Sequence, residues 1–201
     1  DVLRLGAGAE IVVVGEGVAH RVRLTAVGET AEGERLEQLP AQRLPRVTLV
    51  QGLAKGEKMD DVVRQATEIG VSRIVPFAAE RGDVKLDAAK AAARAERWRR
   101  IAAEAAQQSQ RADIPEVAGL AQSADLPSAL AGSVVLVCWE DAAGAPGIAG
   151  ALEDAAPSED ADVAIVVGPE GGLTSAEVQA LAAAGAFVVT FGATVLRTET
   201  A

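Results

Sequence analysis

Two short segments in the last third of the sequence carry the residue types best suited to chemistry. The first is Gly168-Pro169-Glu170-Gly171-Gly172. Three glycines in five residues let the backbone take positive φ and approach a ligand closely. Free backbone N–H groups in such a loop can hold an anionic or polar group. The competing reading is a tight turn from a strand into a helix. The segment is not a Walker A loop, since no Gly-Lys-Ser/Thr follows, and it lacks the spacing of a dinucleotide fingerprint. The second segment runs from Gly192 through Leu196, Arg197, Thr198 and Glu199. Arg197 is the only basic residue after Arg111, in a stretch with 13 acids. It reads as a placed charge, with a surface Arg197–Glu199 pair as the alternative.

Two further segments join these. Trp139-Glu140 follows the apolar run Val134-Val-Leu-Val-Cys138. Ala105-Ala-Gln-Gln-Ser-Gln-Arg111 closes a basic helix, where Gln107, Gln108 and Arg111 can contact phosphate or bases; a polar helix end is the alternative. His20 lies in an alternating run and reads as structural. Cys138 reads as a buried small hydrophobe. There is no Ser/His/Asp set, no Cys/His pair and no carboxylate–metal motif, which excludes the common hydrolase designs. One His and one Cys make a structural zinc site implausible.

The elements that must position these residues follow from periodicity. Glu10–Val14 and Val18–Thr25 read as two strands around a Gly15-Glu-Gly17 turn, the second with a period of two. Residues 28–45 are polar, with Pro40 and Pro45, and suit a last strand and a linker. Val47–Gln51 is a short apolar strand ending at Gly52. A helix follows with Met59, Val62, Val63, Ala66 and Ile69 on one face and Gly70 as its stop. Val71–Phe77 is the next strand. Asp87 caps a long Ala-rich helix to about Gln110, burying Trp98, Ile101 and Ala105. Ser123–Ala131 is a short helix, Val134–Cys138 a strand and Pro146–Ala155 a helix. Val163–Val167 is a fully apolar strand that runs into the glycine loop. Thr174 and Glu177 form a capping box for the helix after it, Gly185 ends that helix, and Ala186–Phe191 is the last strand. Apolar strands separated by helices imply an α/β protein with a mostly parallel sheet covered on both faces. Three of the strand ends then carry Gly168–Gly172, Trp139-Glu140 and Gly192–Thr200, which together describe one crevice.

Composition sets limits on partners. The chain has 201 residues, 49% hydrophobic and 24% charged, which suits a folded globular protein. One Cys points to a reducing compartment, and no apolar run reaches the ~18 residues of a membrane span. No signal-peptide pattern opens the sequence, and the expected location is the cytoplasm. The net charge of −10 argues at first against nucleic acid. Its distribution reverses that. Residues 1–111 hold 18 Lys and Arg against 16 Asp and Glu, a net +2, whereas residues 112–201 hold one Arg against 13 acids, a net −12. Lys90, Arg94, Arg97, Arg99, Arg100 and Arg111 concentrate on the long helix, facing only Asp87, Glu96 and Glu104. A solvated helix face is the plain alternative to a nucleic-acid surface.

The Gly168–Gly172 loop with Leu173-Thr174 and Glu177, followed by Leu196-Arg-Thr-Glu-Thr-Ala201, resembles the ribosomal RNA small subunit methyltransferase E family. Supporting segments are Lys58-Met59 through Thr67-Glu-Ile-Gly-Val71, Glu80-Arg81 before Val84-Lys85, and Trp98 to Arg111 with Gln108-Ser109. The resemblance covers essentially the whole chain. It implies an S-adenosyl-L-methionine-dependent enzyme that methylates N3 of the uridine numbered 1498 in bacterial 16S rRNA. It implies a SPOUT-type, trefoil-knotted domain over 46–201, an exception to the rule against threaded chains. It also implies a PUA-like RNA-binding β-barrel over 1–45 and a homodimer, with no metal and no membrane. Asp1 and Ala201 read as fragment edges, with the barrel's start and a knot-completing helix expected beyond them.

The same resemblance implies roles for residues. Gly168, Pro169, Glu170, Gly171, Gly172, Gly192, Leu196 and Thr198, with Trp139 and Glu140 nearby, are expected to hold the cofactor. Lys58, Arg81, Arg97, Gln108 and Arg111 are expected to meet RNA. Arg197 is expected to stabilise the uridinate, and Glu199 to accept its proton or to orient Arg197. Three rivals stay open: a non-catalytic RNA-binding protein with a degenerate knot, a nucleotide-binding α/β enzyme using the glycine loop for phosphate, and a SPOUT methyltransferase with another RNA target.

Overall fold

The structure is a computed structural model that describes residues 5–15, 18–39, 45–84, 86–192 and 196–201. Glu16 and Gly17 of the expected first turn, residues 40–44 of the expected linker, Lys85 and residues 193–195 lie outside the described residues.

Three antiparallel strands come first: β1 (Glu10–Gly15), β2 (Val18–Val27) and β3 (Ala31–Gln38), in the order β1-β2-β3. The period-two reading of the second strand holds, and the polar stretch after it forms a complete strand. Every residue of β3 is exposed, and Leu24 is the one buried residue among those described in this sheet. Charge complementarity across the strands accompanies that thin core. Arg23 pairs with Glu10 at 2.9 Å and Arg21 with Glu37 at 2.7 Å, both directly opposite one another. Such exposed pairs set register more than stability.

A seven-stranded sheet follows. Its strands are β4 (Val47–Gly52), β5 (Arg73–Ala78), β6 (Glu116–Val117), β7 (Ala121–Gln122), β8 (Val134–Cys138), β9 (Val163–Val167) and β10 (Phe187–Val189). The order is β10-β8-β9-β4-β5-β6, with β7 also on β5, and every pair is parallel. The two-residue strands β6 and β7 carry no periodic signal and escape the sequence reading. They form because the chain beyond the long helix runs along the open edge of β5.

Alternate residues of the central strands bury on opposite faces. Val50, Phe77, Val137 and Val166 pack with Leu126 of α3 (Leu126–Ala129) and with Val178 and Leu181 of α5 (Ser175–Ala183). On the other face Ile74 packs with Met59 and Val63 of α1 (Lys58–Glu68) and Trp98 of α2 (Ala88–Gln108). Leu136 and Val189 pack there with Ala151 of α4 (Ile148–Ala155). This double coverage is why the strands read as continuous apolar runs.

Asp87 caps α2 as expected, its side chain accepting from the Lys90 amide at 2.8 Å. The amide holds the Asp87 carboxyl below its ordinary range, helped by the Lys90 side chain. Four boundaries shift. The expected helix over 123–131 is a single turn of 3₁₀ helix and a four-residue α3. The helix expected from Pro146 starts at Ile148, the strand expected from Val71 starts at Arg73, and β10 spans only three residues. Ile69 is also corrected: it is 82% exposed, not part of the buried face. The helix has ended at Glu68, and Gly70, at φ +105°, turns the chain so that Val71 enters the core instead.

The capping box at α5 is complete. Thr174 Oγ1 accepts from the Glu177 amide at 3.2 Å, and Glu177 Oε2 accepts from the Thr174 amide at 2.8 Å. Glu177 Oε1 also accepts from the Glu80 amide at 2.9 Å, so the cap ties the loop after β5 to the start of α5. Replacing Thr174 by Ala should cost about 1 kcal/mol in urea unfolding, and Thr174→Ser should restore most of it.

Candidate active site

All strands of the large sheet point the same way, so their C-terminal ends share one rim. The strand order reverses between β4 and β9, and open α/β sheets place ligands at such a switch point. At this rim lies a cavity of about 400 Å³, within the usual range for small-molecule sites. It is bordered by Trp139 and Glu140 after β8, the Gly168–Gly172 loop after β9, Thr190–Gly192 after β10, and Leu196–Glu199. The three strand-end segments identified in the sequence therefore form one cavity.

The glycine loop is tightly enclosed. Gly172, at φ +68°, takes a left-handed conformation that suits glycine, and a Cβ there would meet the Glu140 carboxylate. A Cβ on Gly171 would sit 2.7 Å from the Arg81 carbonyl oxygen. Gly171 itself does not border the cavity; it allows the loop to pack against the segment after β5. Gly52 plays the same part at the end of β4, where a Cβ would collide with the Pro169 ring.

A buried polar cluster fixes the terminal segment. Thr198 Oγ1 donates to the Gly168 carbonyl at 2.7 Å and accepts from Gln51 Nε2 at 2.9 Å. The same Gln51 amide donates to the Gly52 carbonyl at 3.1 Å. Gln51 and Thr198 are both buried. Gln51 was missed in the sequence, although a Gln closing the run Val47-Thr-Leu-Val was a visible departure from an apolar strand. Thr198 borders the cavity, yet its hydroxyl is committed to the backbone of the glycine loop.

Charges in the cavity are arranged differently from the expectation. Lys58 lies between two carboxylates: its Nζ is 3.0 Å from Glu170 Oε1 and 3.3 Å from Glu199 Oε2. Glu170 also accepts from the Lys55 amide at 3.1 and 3.3 Å. Burial pushes the Glu170 carboxyl up, but backbone N–H groups and Lys58 outweigh it and hold it below the ordinary range. Hydrogen bonding to Glu170, aided by Glu199, raises Lys58. Glu199 thus pairs with Lys58 and not with Arg197. Among the described residues Arg197 forms no ion pair, and it is exposed at the cavity. The Cys138 thiol borders the cavity as well, but burial pushes it up to about 12, so it is a neutral thiol and not a nucleophile.

The residues expected to meet RNA lie in different environments. Arg81 and Gln108 are exposed, Arg81 beside Gly171 and Gln108 at the end of α2. Arg111 is turned inward. Its side chain is 7% exposed, its Nη1 donates to the Thr67 and Val71 carbonyls at 2.6 and 2.9 Å, and its Nη2 pairs with Asp113 at 2.8 Å. It closes the end of α1, with its Nε buried and without a partner among the described residues. Arg97 remains exposed while its Nε and Nη2 both donate to the buried Asp60, which accepts from Trp98 Nε1 as well. That cluster joins α1 to α2. Lys58 belongs to the cavity. None of Arg81, Arg97, Gln108 and Arg111 borders it. Among the described residues no helix is long and apolar enough to cross a membrane.

Comparison with known proteins gives this geometry a class. Residues 42–201 match the model of the RNA methyltransferase domain family. Ribosomal RNA small subunit methyltransferase E of Mycobacterium tuberculosis is 35% identical over 210 residues, covering all of this chain and 77% of the relative. The Bacillus subtilis protein of the same name is 36% identical over 159 residues, and the chain spans 62% of its length. The crystal structure of the Neisseria gonorrhoeae protein of that name, bound to S-adenosyl methionine, superposes with a TM-score of 0.87 at 32% identity, covering all of this chain and 81% of that one. The chain belongs to the ribosomal RNA small subunit methyltransferase E family.

Replacing Gln51 by Ala should remove about 1–3 kcal/mol of stability in denaturant unfolding, because it leaves polar groups of the Thr198–Gly168 cluster short of a partner.

Proposed function

We propose that this protein transfers a methyl group from S-adenosyl-L-methionine to N3 of a uridine in bacterial 16S rRNA, the uridine numbered 1498. The observation that carries the reading is the convergence of the glycine loop, Trp139-Glu140 and the Arg197–Glu199 segment on one cavity. The residues present suit the donor. Its sulfonium is cationic, and Glu140, Glu170 and Glu199 border the cavity against Lys58 and Arg197. Trp139 borders the cavity as well, with its Nε1 buried and without a hydrogen-bond partner among the described residues. The relatives from Neisseria gonorrhoeae and Legionella pneumophila bound to this molecule support the choice.

When bound, the donor supplies an already activated methyl group. The protein's own task is then alignment and charge. Gly168, Gly172 and Leu196 border the cavity where backbone groups can hold the donor. Arg197, free of any ion pair among the described residues, stabilises the negative charge that spreads over O2 and O4 as N3 loses its proton. Glu199, held by Lys58, accepts that proton.

RNA is drawn to the cationic side chains that stay outward, including Arg81 and the exposed Arg100 of α2. Residues 1–45 serve as a PUA-like RNA-binding unit. Residues 46–201 form the SPOUT-type catalytic unit with its trefoil knot, working as a cytoplasmic homodimer.

The test is mass mapping of 16S rRNA after incubation with enzyme, donor and small subunits lacking the mark. One methyl should appear at that uridine; its absence overturns the assignment. Arg197→Ala should bind the donor normally by calorimetry yet slow transfer by about 10²–10³-fold, the scale of losing one electrostatic stabiliser. Retention of full transfer would remove Arg197 from the mechanism.

A further inference from the structure

Lys58 sits in the expected set of RNA-contacting residues, but its surroundings assign it another task. We infer that Lys58 is a positioning residue: its ammonium bridges the glycine loop and the terminal segment and so sets the place of the Glu199 carboxylate. The inference rests on the methyl-transfer reading for its kinetic consequence, though not for the bridge itself.

Three observations support it. Lys58 is the first residue of α1, and the helix is anchored by the fully buried Met59 and Val63, so the base of its side chain is fixed. Glu170 is held independently, by the Lys55 amide as well as by Lys58. Glu199 has only Lys58 as an ion-pair partner among the described residues, at 3.3 Å. The bridge thus runs from a rigid helix and a fixed loop to the one carboxylate that must be held.

Local charge argues against a phosphate contact. One ammonium faces two carboxylates, a net −1 at the site where phosphate would have to approach. The partners are partly buried, with side-chain exposures of 26% for Glu170 and 24% for Glu199, so solvent screens them incompletely. Removing the ammonium would leave Glu170 and Glu199 facing each other as like charges. Repulsion would then push the terminal segment away from the loop, with Thr198 as its remaining anchor.

The test compares wild type, Lys58→Met and Lys58→Arg in the full chain. Hydrogen exchange without ligand should show the amides of Glu199–Ala201 opening about tenfold faster in Lys58→Met, with protection largely restored in Lys58→Arg. In methyl transfer, Lys58→Met should lower kcat about 10²-fold, as small misplacements do, while KM for the small subunit changes less than about threefold. Lys58→Arg should recover most of the rate. Unchanged exchange in Lys58→Met overturns the bridge. A raised KM with kcat retained overturns it too, by showing a phosphate contact. If wild type transfers no methyl, the proposed function fails, and the exchange data still decide the bridge.

Discussion

The hydrogen-bonded cluster of Gln51, Thr198 and the Gly168 carbonyl is the constraint on which the cavity depends. It joins the end of the central strand β4, the end of its neighbour β9 and the segment carrying Arg197. Gln51 lies more than a hundred positions from both Gly168 and Thr198, so no local preference holds them together. Burial makes the arrangement demanding. A side-chain amide and a hydroxyl withdrawn from water lose more by going unpaired than a hydrogen bond gains at the surface. Once Thr198 is seated, Arg197 and Glu199 on either side of it are carried to the rim of the sheet.

Close approach is the second constraint. The loop after β9 passes between Glu140, the Arg81 carbonyl and the end of β4; a Cβ has no room at Gly171 and Gly52, and Gly172 takes a positive φ that suits glycine. The capping-box glutamate reinforces this passage by holding the Glu80 amide. The glycine-rich run is therefore selected from two directions. It must leave a strand and enter a capped helix, and it must also leave room for three neighbouring segments. The cavity exists because these backbones come close without side chains between them.

Charge is arranged at two scales. Across the chain, the acidic excess lies in residues 112–201, and all the basic residues but Arg197 precede them. Within the fold, much of that basic charge is spent on architecture. Arg97 pairs with Asp60, Arg111 closes α1, and Lys58 bridges Glu170 and Glu199. Arg197 is an exception at the cavity, an exposed guanidinium without an ion pair among the described residues. Counting cations along the sequence overstates the surface that is open to a polyanion, because some, like Arg111, are buried against backbone carbonyls.

Patterns that act over a few residues were legible in the sequence alone. The apolar runs of β4, β8 and β9, the Asp87 cap, the Thr174–Glu177 box and the Gly70 stop each reflect short-range sterics or hydrogen bonding, and each is found. The glycine loop and the isolated Arg197 were legible for the same reason, since unusual local composition signals a backbone or charge requirement. Partner choice was not legible. Whether Arg111 meets RNA or the Thr67 carbonyl, whether Glu199 meets Arg197 or Lys58, and whether Ile69 joins the core depend on which distant segments arrive beside them. The order of strands in the sheet decides that, through β5 beside β4 and β9 between β8 and β4. The sequence by itself determined the longer elements and the loops able to carry a site, but not the short edge strands β6 and β7. The tertiary structure alone decided which charges remain free there, because ion pairs and buried hydrogen bonds form between neighbours in space and not between neighbours in the chain.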